Sequence, residues 1–173
     1  MKRSAFCLIV IISIAGIVLF CLWRPEPGCA PTTFDGVHEG LTCLACSPDG
    51  HTFMTGGAYG DLQLWDVSKP SVLQRIATGH DGVMAVAYSA DGSILASGGQ
   101  EGTVKIWDTA TLDNLITLPC GDSPVYGLTW SPDGRRLACA SNDGTIRIWG
   151  STVMPTLPKN ADHLETGILA AEK

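Results

Sequence analysis

The feature that most constrains this chain is a repeat with a fixed spacing of 42 residues. Trp65, Trp107 and Trp149 follow one another at this spacing, and two short motifs keep it as well. The motifs are SPDG, SADG and SPDG at 47–50, 89–92 and 131–134, and GDLQLWD, GTVKIWD and GTIRIWG at 60–66, 102–108 and 144–150. Because the Trp residues and both motifs share one period, the chain repeats one supersecondary unit. Such units bury their apolar surface by stacking on their neighbours.

Each unit has the pattern of four short β-strands joined by tight turns. In the second unit the strand segments are VMAVAYS, SILASGG, TVKIWD and NLITL, at 83–89, 93–99, 103–108 and 114–118. The Asp-Gly pairs at 49–50, 91–92 and 133–134 supply the residues that tight turns require. Val104, Ile106 and Trp107 put apolar side chains on both faces of the third strand, so each small sheet is expected to lie between two others. The predicted fold class is all-β, with three four-stranded antiparallel sheets stacked face to face.

These motifs resemble the repeat of the WD-repeat (WD40-type) β-propeller family. That family has a Gly-His pair near the start of the unit and a Trp-Asp pair at the end of its third strand. The first unit has Val37-His38 and Trp65-Asp66, and the second has Gly79-His80 and Trp107-Asp108. The third has Gly121-Asp122 and Trp149-Gly150. The resemblance covers residues 38–150 and implies propeller blades at 37–78, 79–120 and 121–150. It also implies a non-catalytic scaffold for protein–protein interaction.

The resemblance further implies a hydrogen-bonded set of Asp, His, Ser or Thr, and Trp inside each blade. The matching positions are His38, Thr55 and Trp65 in the first unit, His80, Ser97, Glu101 and Trp107 in the second, and Asp143 and Trp149 in the third. No unit has the full set: Tyr59 and Glu101 occupy Asp positions, Asp122 replaces His, and Cys139 replaces Ser. Since a buried Trp N–H needs an acceptor, we expect the second set to be the best ordered and the third to be looser.

The surface with the clearest binding potential is formed by the loops between units and the turns after each second strand. In the resembling family this surface commonly binds peptides or other proteins. Its candidate partner-binding residues here are Glu39, Tyr59, Asp81, Asp122 and Asn142, with His38, Glu101 and Asp143 beside them. This set is mostly acidic and would favour a basic partner segment. The alternative is a solvated rim with no partner.

No constellation for catalysis or for binding a cofactor or metal is found. Cys43 and Cys46 have the spacing of a redox or zinc pair, but the repeat puts them on opposite faces of a strand and no second pair completes a zinc site. Cys120 and Cys139 could pair in an oxidising compartment, and the sequence leaves this open. We therefore expect no enzyme, no cofactor and no metal; the alternative is an exported propeller with ligand-binding or enzymatic activity.

The N-terminal segment predicts attachment to a membrane. Lys2 and Arg3 precede nineteen uncharged residues, from Ala5 to Trp23, about the length that crosses a hydrocarbon core. We expect one transmembrane helix as an anchor at 1–24 and a Pro-, Gly- and Thr-rich linker at 25–36. The N-terminus is then cytoplasmic and the repeats lie on the extracytoplasmic side. A cleaved signal peptide, which would leave a secreted or periplasmic protein, is the alternative. Beyond residue 30 the chain has 8 basic and 16 acidic residues, which disfavours nucleic acid as a partner.

Three units fall short of a closed ring, since propellers usually have about four to eight blades. The tail at 151–173 loses the repeat and offers only a weak last strand. Three outcomes are open: a fragment of a longer protein (a non-functional truncation included), a homo-oligomer that completes a six-bladed ring, or an open arc beside the membrane. A fragment is ranked first and an oligomer second.

Overall fold

The computed structural model describes residues 32–34 and 40–150, which form eleven β-strands in three antiparallel sheets. Blade 1 consists of β1 (Leu41–Cys46), β2 (Thr52–Gly57), β3 (Asp61–Asp66) and β4 (Lys69–Ala77). Blade 2 consists of β5 (Val83–Tyr88), β6 (Ile94–Gly99), β7 (Thr103–Asp108) and β8 (Asn114–Pro119). Blade 3 consists of β9 (Val125–Trp130), β10 (Leu137–Ser141) and β11 (Ile146–Trp149).

The strands of each blade pair in chain order, as a meander. This confirms the all-β prediction, with four strands in blades 1 and 2. Within the described residues blade 3 has three strands rather than the four predicted. The weak last strand predicted after Trp149 falls on residues 151–173, which lie outside the described part of the chain.

The predicted Asp-Gly turns form between the first two strands of each blade. The carboxylates of Asp49, Asp91 and Asp133 accept backbone N–H groups two residues on, at 2.8, 3.1 and 3.1 Å. The glycine after each Asp has a φ of 73°, 74° or 68°, in the left-handed region where glycine is favoured. These carboxylates therefore shape three separate turns.

The apolar side chains on both faces of β7 are explained by the position of blade 2 between the other two. Val104 and Ile106 are fully buried in a cluster with Val125 and Leu137 of blade 3. On the opposite face, Trp107 is 4% exposed and belongs to a cluster with residues of blade 1. The middle blade therefore contributes to two interblade cores.

Two glycines allow neighbouring blades to approach closely. A Cβ atom on Gly56 would lie 2.6 Å from Cγ1 of Val83, and one on Gly98 would lie 2.6 Å from Cγ1 of Val125. Both contacts are shorter than real Cβ contacts, so a side chain here would push away the first strand of the next blade. The close approach accounts for glycine inside two buried strands.

The two ends of the stack differ. At blade 1, the ring of Phe34 packs edge-on against Phe53 and Trp65, with centroid distances of 5.1 and 5.9 Å. At blade 3, Ile146 is 73% exposed and Ile148 is 65% exposed. Val104, one repeat before Ile146, is fully buried because blade 3 covers it. The outer face of β11 therefore presents apolar surface to solvent.

The predicted anchor at 1–24 and most of the predicted linker at 25–36 lie outside the described residues. Within residues 32–34 and 40–150, the structure contains no helix with the length and apolar character needed to cross a bilayer.

Candidate functional site

A continuous chain of hydrogen bonds joins the predicted set of blade 2. Nε1–H of Trp107 donates to Oγ of Ser97 at 2.9 Å, and Oγ of Ser97 lies 2.9 Å from Nε2 of His80. Nδ1 of His80 is in turn bonded to the carboxylate of Glu101. The longer Glu101 side chain thus occupies the position where the family has Asp and still reaches the histidine. Its other oxygen accepts the backbone N–H of Asp81 at 3.2 Å.

The surroundings of His80 and Glu101 determine which atoms of this hydrogen-bond network carry protons. Burial, which outweighs the neighbouring Glu101 carboxylate, lowers the pKa of His80 below its ordinary 6.5, so its imidazole is neutral near pH 7. Burial raises the pKa of Glu101, but hydrogen bonds from Thr103 and His80 outweigh it, and the net pKa lies below 4.5. A neutral His80 then donates from Nδ1 to the ionised Glu101 and accepts the Ser97 O–H at Nε2, an assignment made from the network. Every polar group of the set has a partner.

Blade 1 keeps the inner part of the same arrangement. Nε1–H of Trp65 donates to Oγ1 of Thr55 at 3.0 Å, and both residues are buried. Tyr59, which stands in the Asp position, is 76% exposed. The predicted histidine of this set, His38, lies outside the described residues.

Blade 3 is held differently. Asp143 stays in its own turn, where its carboxylate accepts bonds from Thr145 and from Nη1 of Arg147 at 3.0 Å. These bonds, those from Thr145 first, lower the pKa of Asp143 to about 2. Trp149 is half-buried against the core between blades 2 and 3. Cys139, at the position of Ser97, forms a disulfide with Cys120.

The predicted binding loops lie at one edge of the stacked blades, which we call the loop rim (residues 58–60, 78–82, 100–102, 120–124 and 142–144), and backbone hydrogen bonds order them within each blade. Three of these bonds run within a blade, from Ala58 N to Gly40 O, from Gln100 N to Gly82 O and from Asn142 N to Pro124 O, at 2.9, 2.9 and 2.8 Å. Two others continue the pairing of the last two strands of a blade into the loops, from Thr78 N to Gly60 O in blade 1 at 3.1 Å and from Cys120 N to Gly102 O in blade 2 at 2.8 Å. Successive blades approach closely at these loops, since a Cβ on Gly60 would lie 1.9 Å from the carbonyl oxygen of His80 and one on Gly102 would lie 2.2 Å from that of Gly121. The loops of the three blades therefore lie along one edge.

The loop rim exposes most of the predicted partner-binding residues. Tyr59, Asp81, Asp122 and Asn142 are all exposed, whereas Glu39 lies outside the described residues. Glu101 is only 25% exposed at its side chain, because it bonds inward to His80. The freely exposed acids are thus fewer than the sequence suggested.

The positive charges nearest the loop rim are engaged in hydrogen bonds within the protein. Nζ of Lys105 donates to the carbonyl oxygen of Thr78 at 2.5 Å, and Arg147 bonds Asp143. No Lys or Arg occurs among the five segments of the loop rim. Its exposed surface is therefore acidic, with one large aromatic ring.

Sequence reasoning missed the threonines that orient the acids of the turns. Thr103 donates to the carboxylate of Glu101, and Thr145 donates through Oγ1 to Asp143 at 2.6 Å. Both follow the same glycine, one repeat apart, in GTVKIWD and GTIRIWG. That shared Thr two residues after an acid is the signal that would have found them.

The described residues contain no cluster of three or more His, Cys, Asp or Glu side chains arranged to hold a metal. Cys43 and Cys46 are free thiols. Burial raises the pKa of Cys43 to about 11 and also raises that of Cys46. Since the thiolate is the reactive form, neither cysteine has the lowered pKa of a redox motif.

The comparison with protein families decides the affiliation. The WD40 family model (WD domain, G-beta repeat) matches residues 29–66, 71–108 and 113–150, about two thirds of the chain. The chain belongs to the WD40-repeat family. Each matched segment ends one residue after the third-strand Trp, at Asp66, Asp108 and Gly150. Because WD40 repeats generally bind proteins or peptides, the family supports a protein–protein interaction scaffold.

A solved structure described as "Structure of U3-55K" has the same fold, with a TM-score of 0.63 at 24% sequence identity. The match covers 66% of this chain and 37% of that chain, so the WD40 protein described here spans about a third of the length of its structural relative. No curated protein sequence matches it.

Proposed function

We propose that this WD40 protein is a non-catalytic scaffold whose loop rim binds a basic segment of a partner protein. The observation that carries the proposal is the charge of the loop rim, which exposes Asp81 and Asp122 and has no Lys or Arg. A basic segment complements this charge, which raises its rate of association and excludes acidic competitors.

Tyr59 supplies the anchor of the proposed surface. It is 76% exposed and precedes Gly60, whose position is so close to blade 2 that a Cβ would lie 1.9 Å from the carbonyl oxygen of His80. Tyr59 and Asp81 therefore belong to adjacent loops. An exposed aromatic ring and a carboxylate on adjacent loops suit a Lys or Arg side chain, which can gain cation–π and ionic contacts.

Binding of synthetic peptides to the full chain in mild detergent tests this proposal. A fluorescent peptide with alternating Arg and Gly is compared with its Glu counterpart at two salt concentrations. We expect the Arg peptide to bind more tightly, and we expect Tyr59→Ala and Asp81→Ala each to weaken it about tenfold. The matched control is Asp113→Ala, which removes an exposed carboxylate from the turn before β8. Equal losses in the control, or equal binding of the two peptides, would contradict the proposal.

We also propose that residues 1–24 anchor the protein in a membrane with the blades on the extracytoplasmic side. The support is the run of uncharged residues from Ala5 to Trp23 after Lys2 and Arg3. Carbonate extraction and protease protection of the blades in sealed vesicles test the arrangement. A mature N-terminus near Pro31 would show instead that the segment is cleaved.

Association with a second copy, or with further blades, is proposed for the outer face of blade 3. The support is the exposure of Ile146 and Ile148, at 73% and 65%, since exposed apolar faces of this kind favour association. Light scattering of the chain in detergent is expected to give a defined dimer if a second copy covers the face. A monodisperse monomer at high concentration would leave further blades as the remaining partner.

A further inference from the structure

We propose that the Cys120–Cys139 disulfide is a covalent substitute for the hydrogen-bonded set of blade 3, and that it makes the docking of this blade dependent on redox state.

The positions of the two cysteines carry the first step. Cys139 lies one repeat after Ser97 and two repeats after Thr55, which are the hydroxyl acceptors for Trp107 and Trp65. The position of His80 is taken in blade 3 by Asp122, which is exposed. The side chains that tie the leading loop to the second strand in blade 2 are thus missing in blade 3, and the disulfide joins the same two elements.

The bond also crosses between blades. Cys120 directly follows β8, and its backbone N–H donates to the carbonyl oxygen of Gly102 at 2.8 Å, so it belongs structurally to blade 2. Cys139 lies in the middle of β10 and is paired with Leu128 and Arg147 on either side. The disulfide therefore attaches the central strand of blade 3 to the end of blade 2.

Burial sets the order of events on reduction. Cys120 is 0% exposed and Cys139 is 1% exposed, within the apolar cluster that includes Val104 and Leu137. A reductant reaches neither sulfur until blade 3 separates from blade 2. Within the described residues blade 3 packs on one neighbour only, and terminal units of stacked repeats open more readily than central ones.

The chemical step is ordinary thiol–disulfide exchange with a small dithiol reductant. A thiolate of the reductant attacks one sulfur, the S–S bond breaks, and a mixed disulfide forms; the second thiol of the reductant then releases the protein. Two electrons and two protons pass to the protein as two Cys thiols, and the reductant leaves as its own disulfide. Blade 3 then has neither the covalent tie nor a hydrogen-bonded set.

Release of blade 3 would also divide the loop rim, because Asp122, Asn142 and Asp143 belong to this blade. This consequence for binding rests on the proposed function of the loop rim. The docking of the blade is measured without any partner, so failure of one proposal is distinguishable from failure of the other.

Hydrogen exchange of the full chain in mild detergent, before and after treatment with dithiothreitol, tests whether the disulfide holds blade 3 on blade 2. Non-reducing peptide mapping first establishes that Cys120 is linked to Cys139. After reduction we expect the amides of β9–β11 to exchange on the order of 100-fold faster, the factor that chain entropy assigns to a closed loop of similar length. The exchange rates of amides in β5–β7 should change less than about threefold. The control variant is Cys46→Ser, which removes an exposed free thiol and should change neither region.

A rescue variant tests whether the disulfide replaces the hydrogen-bonded set. The chain with Cys120→Ser and Cys139→Ser should match the reduced protein, and adding Asp122→His should restore at least tenfold of the lost protection. If the double variant fails to fold, reduction of the folded natural chain still provides the measurement.

Three results would overturn the proposal. The first is the absence of the Cys120–Cys139 link in the folded chain. The second is unchanged exchange of β9–β11 after complete reduction. The third is a rescue variant no better protected than the double variant, which would overturn the equivalence with the hydrogen-bonded set.

Discussion

Removal of the Ser97 hydroxyl is the sharpest test of how blade 2 is held together. Ser97 is 0% exposed, and its oxygen lies 2.9 Å from both Nε1 of Trp107 and Nε2 of His80. Ser97→Ala leaves an indole N–H and an imidazole nitrogen without partners. Since Trp107 and His80 are 4% and 6% exposed, solvent does not replace the lost bonds.

The magnitude follows from the desolvation of these two groups. Each unsatisfied buried polar group costs about 1–3 kcal/mol, so we expect the free energy of unfolding to fall by about 3 kcal/mol. Ser97→Thr keeps the oxygen and introduces the residue that blade 1 uses at Thr55. This variant should lose less than Ser97→Ala, about 1 kcal/mol, the lower end of what an added methyl group costs in a packed core.

Equilibrium unfolding in urea, followed by tryptophan fluorescence and far-ultraviolet circular dichroism, measures the effect. With a slope of about 2 kcal/mol per molar urea, the midpoint of Ser97→Ala should shift by about 1.5 M. Ser71→Ala, on the exposed part of β4, is the surface control and should stay within about 0.5 kcal/mol. A loss for Ser97→Ala no larger than that of Ser71→Ala would refute the proposed hydrogen-bond chain.

Three further outcomes are expected from the same set and from one close contact. Because folding lowers the pKa of His80, this histidine is protonated at a higher pH in the unfolded chain than in the folded one. The free energy of unfolding should therefore decline as the pH falls below about 6.5. His80→Asn should flatten this decline, measured as urea midpoints between pH 7 and 5. Glu101→Gln removes the charged acceptor and should lower the free energy of unfolding by about 1.5–3 kcal/mol, and an unchanged urea midpoint would argue against its structural role. Gly60→Ala should unfold the chain or cost several kcal/mol more than Gly50→Ala, as both have positive φ but only Gly60 lacks space for a Cβ; equal thermal midpoints would contradict the close contact between blades.

The blade architecture was predictable because its signals are local and repeated. The alternation along TVKIWD and the Asp-Gly turns depend on interactions within a few residues. Each pattern occurs in all three repeats, so each occurrence supports the others. Residues that act through local backbone geometry, such as Asp49 before Gly50, were likewise readable from the sequence.

The candidate site was predictable in position but not in detail. The repeat locates Glu101 at an Asp position, but only the fold shows that the longer side chain reaches His80 and that Thr103 orients it. The sequence analysis placed Glu101 beside the partner-binding residues of the loop rim. In the structure, the carboxylate of Glu101 forms internal hydrogen bonds instead.

The sequence by itself determined the repeat, the strands, the turns and the family, because these depend on periodicity and on residue types within one unit. Only the tertiary structure decided that Cys120 pairs with Cys139, since two sulfurs separated by 19 residues meet only when blade 3 packs on blade 2. It likewise decided that Val104 is buried while its repeat counterpart Ile146 is 73% exposed. The two positions have the same local pattern, and their burial differs because a neighbouring blade covers one of them and, in the described structure, none covers the other.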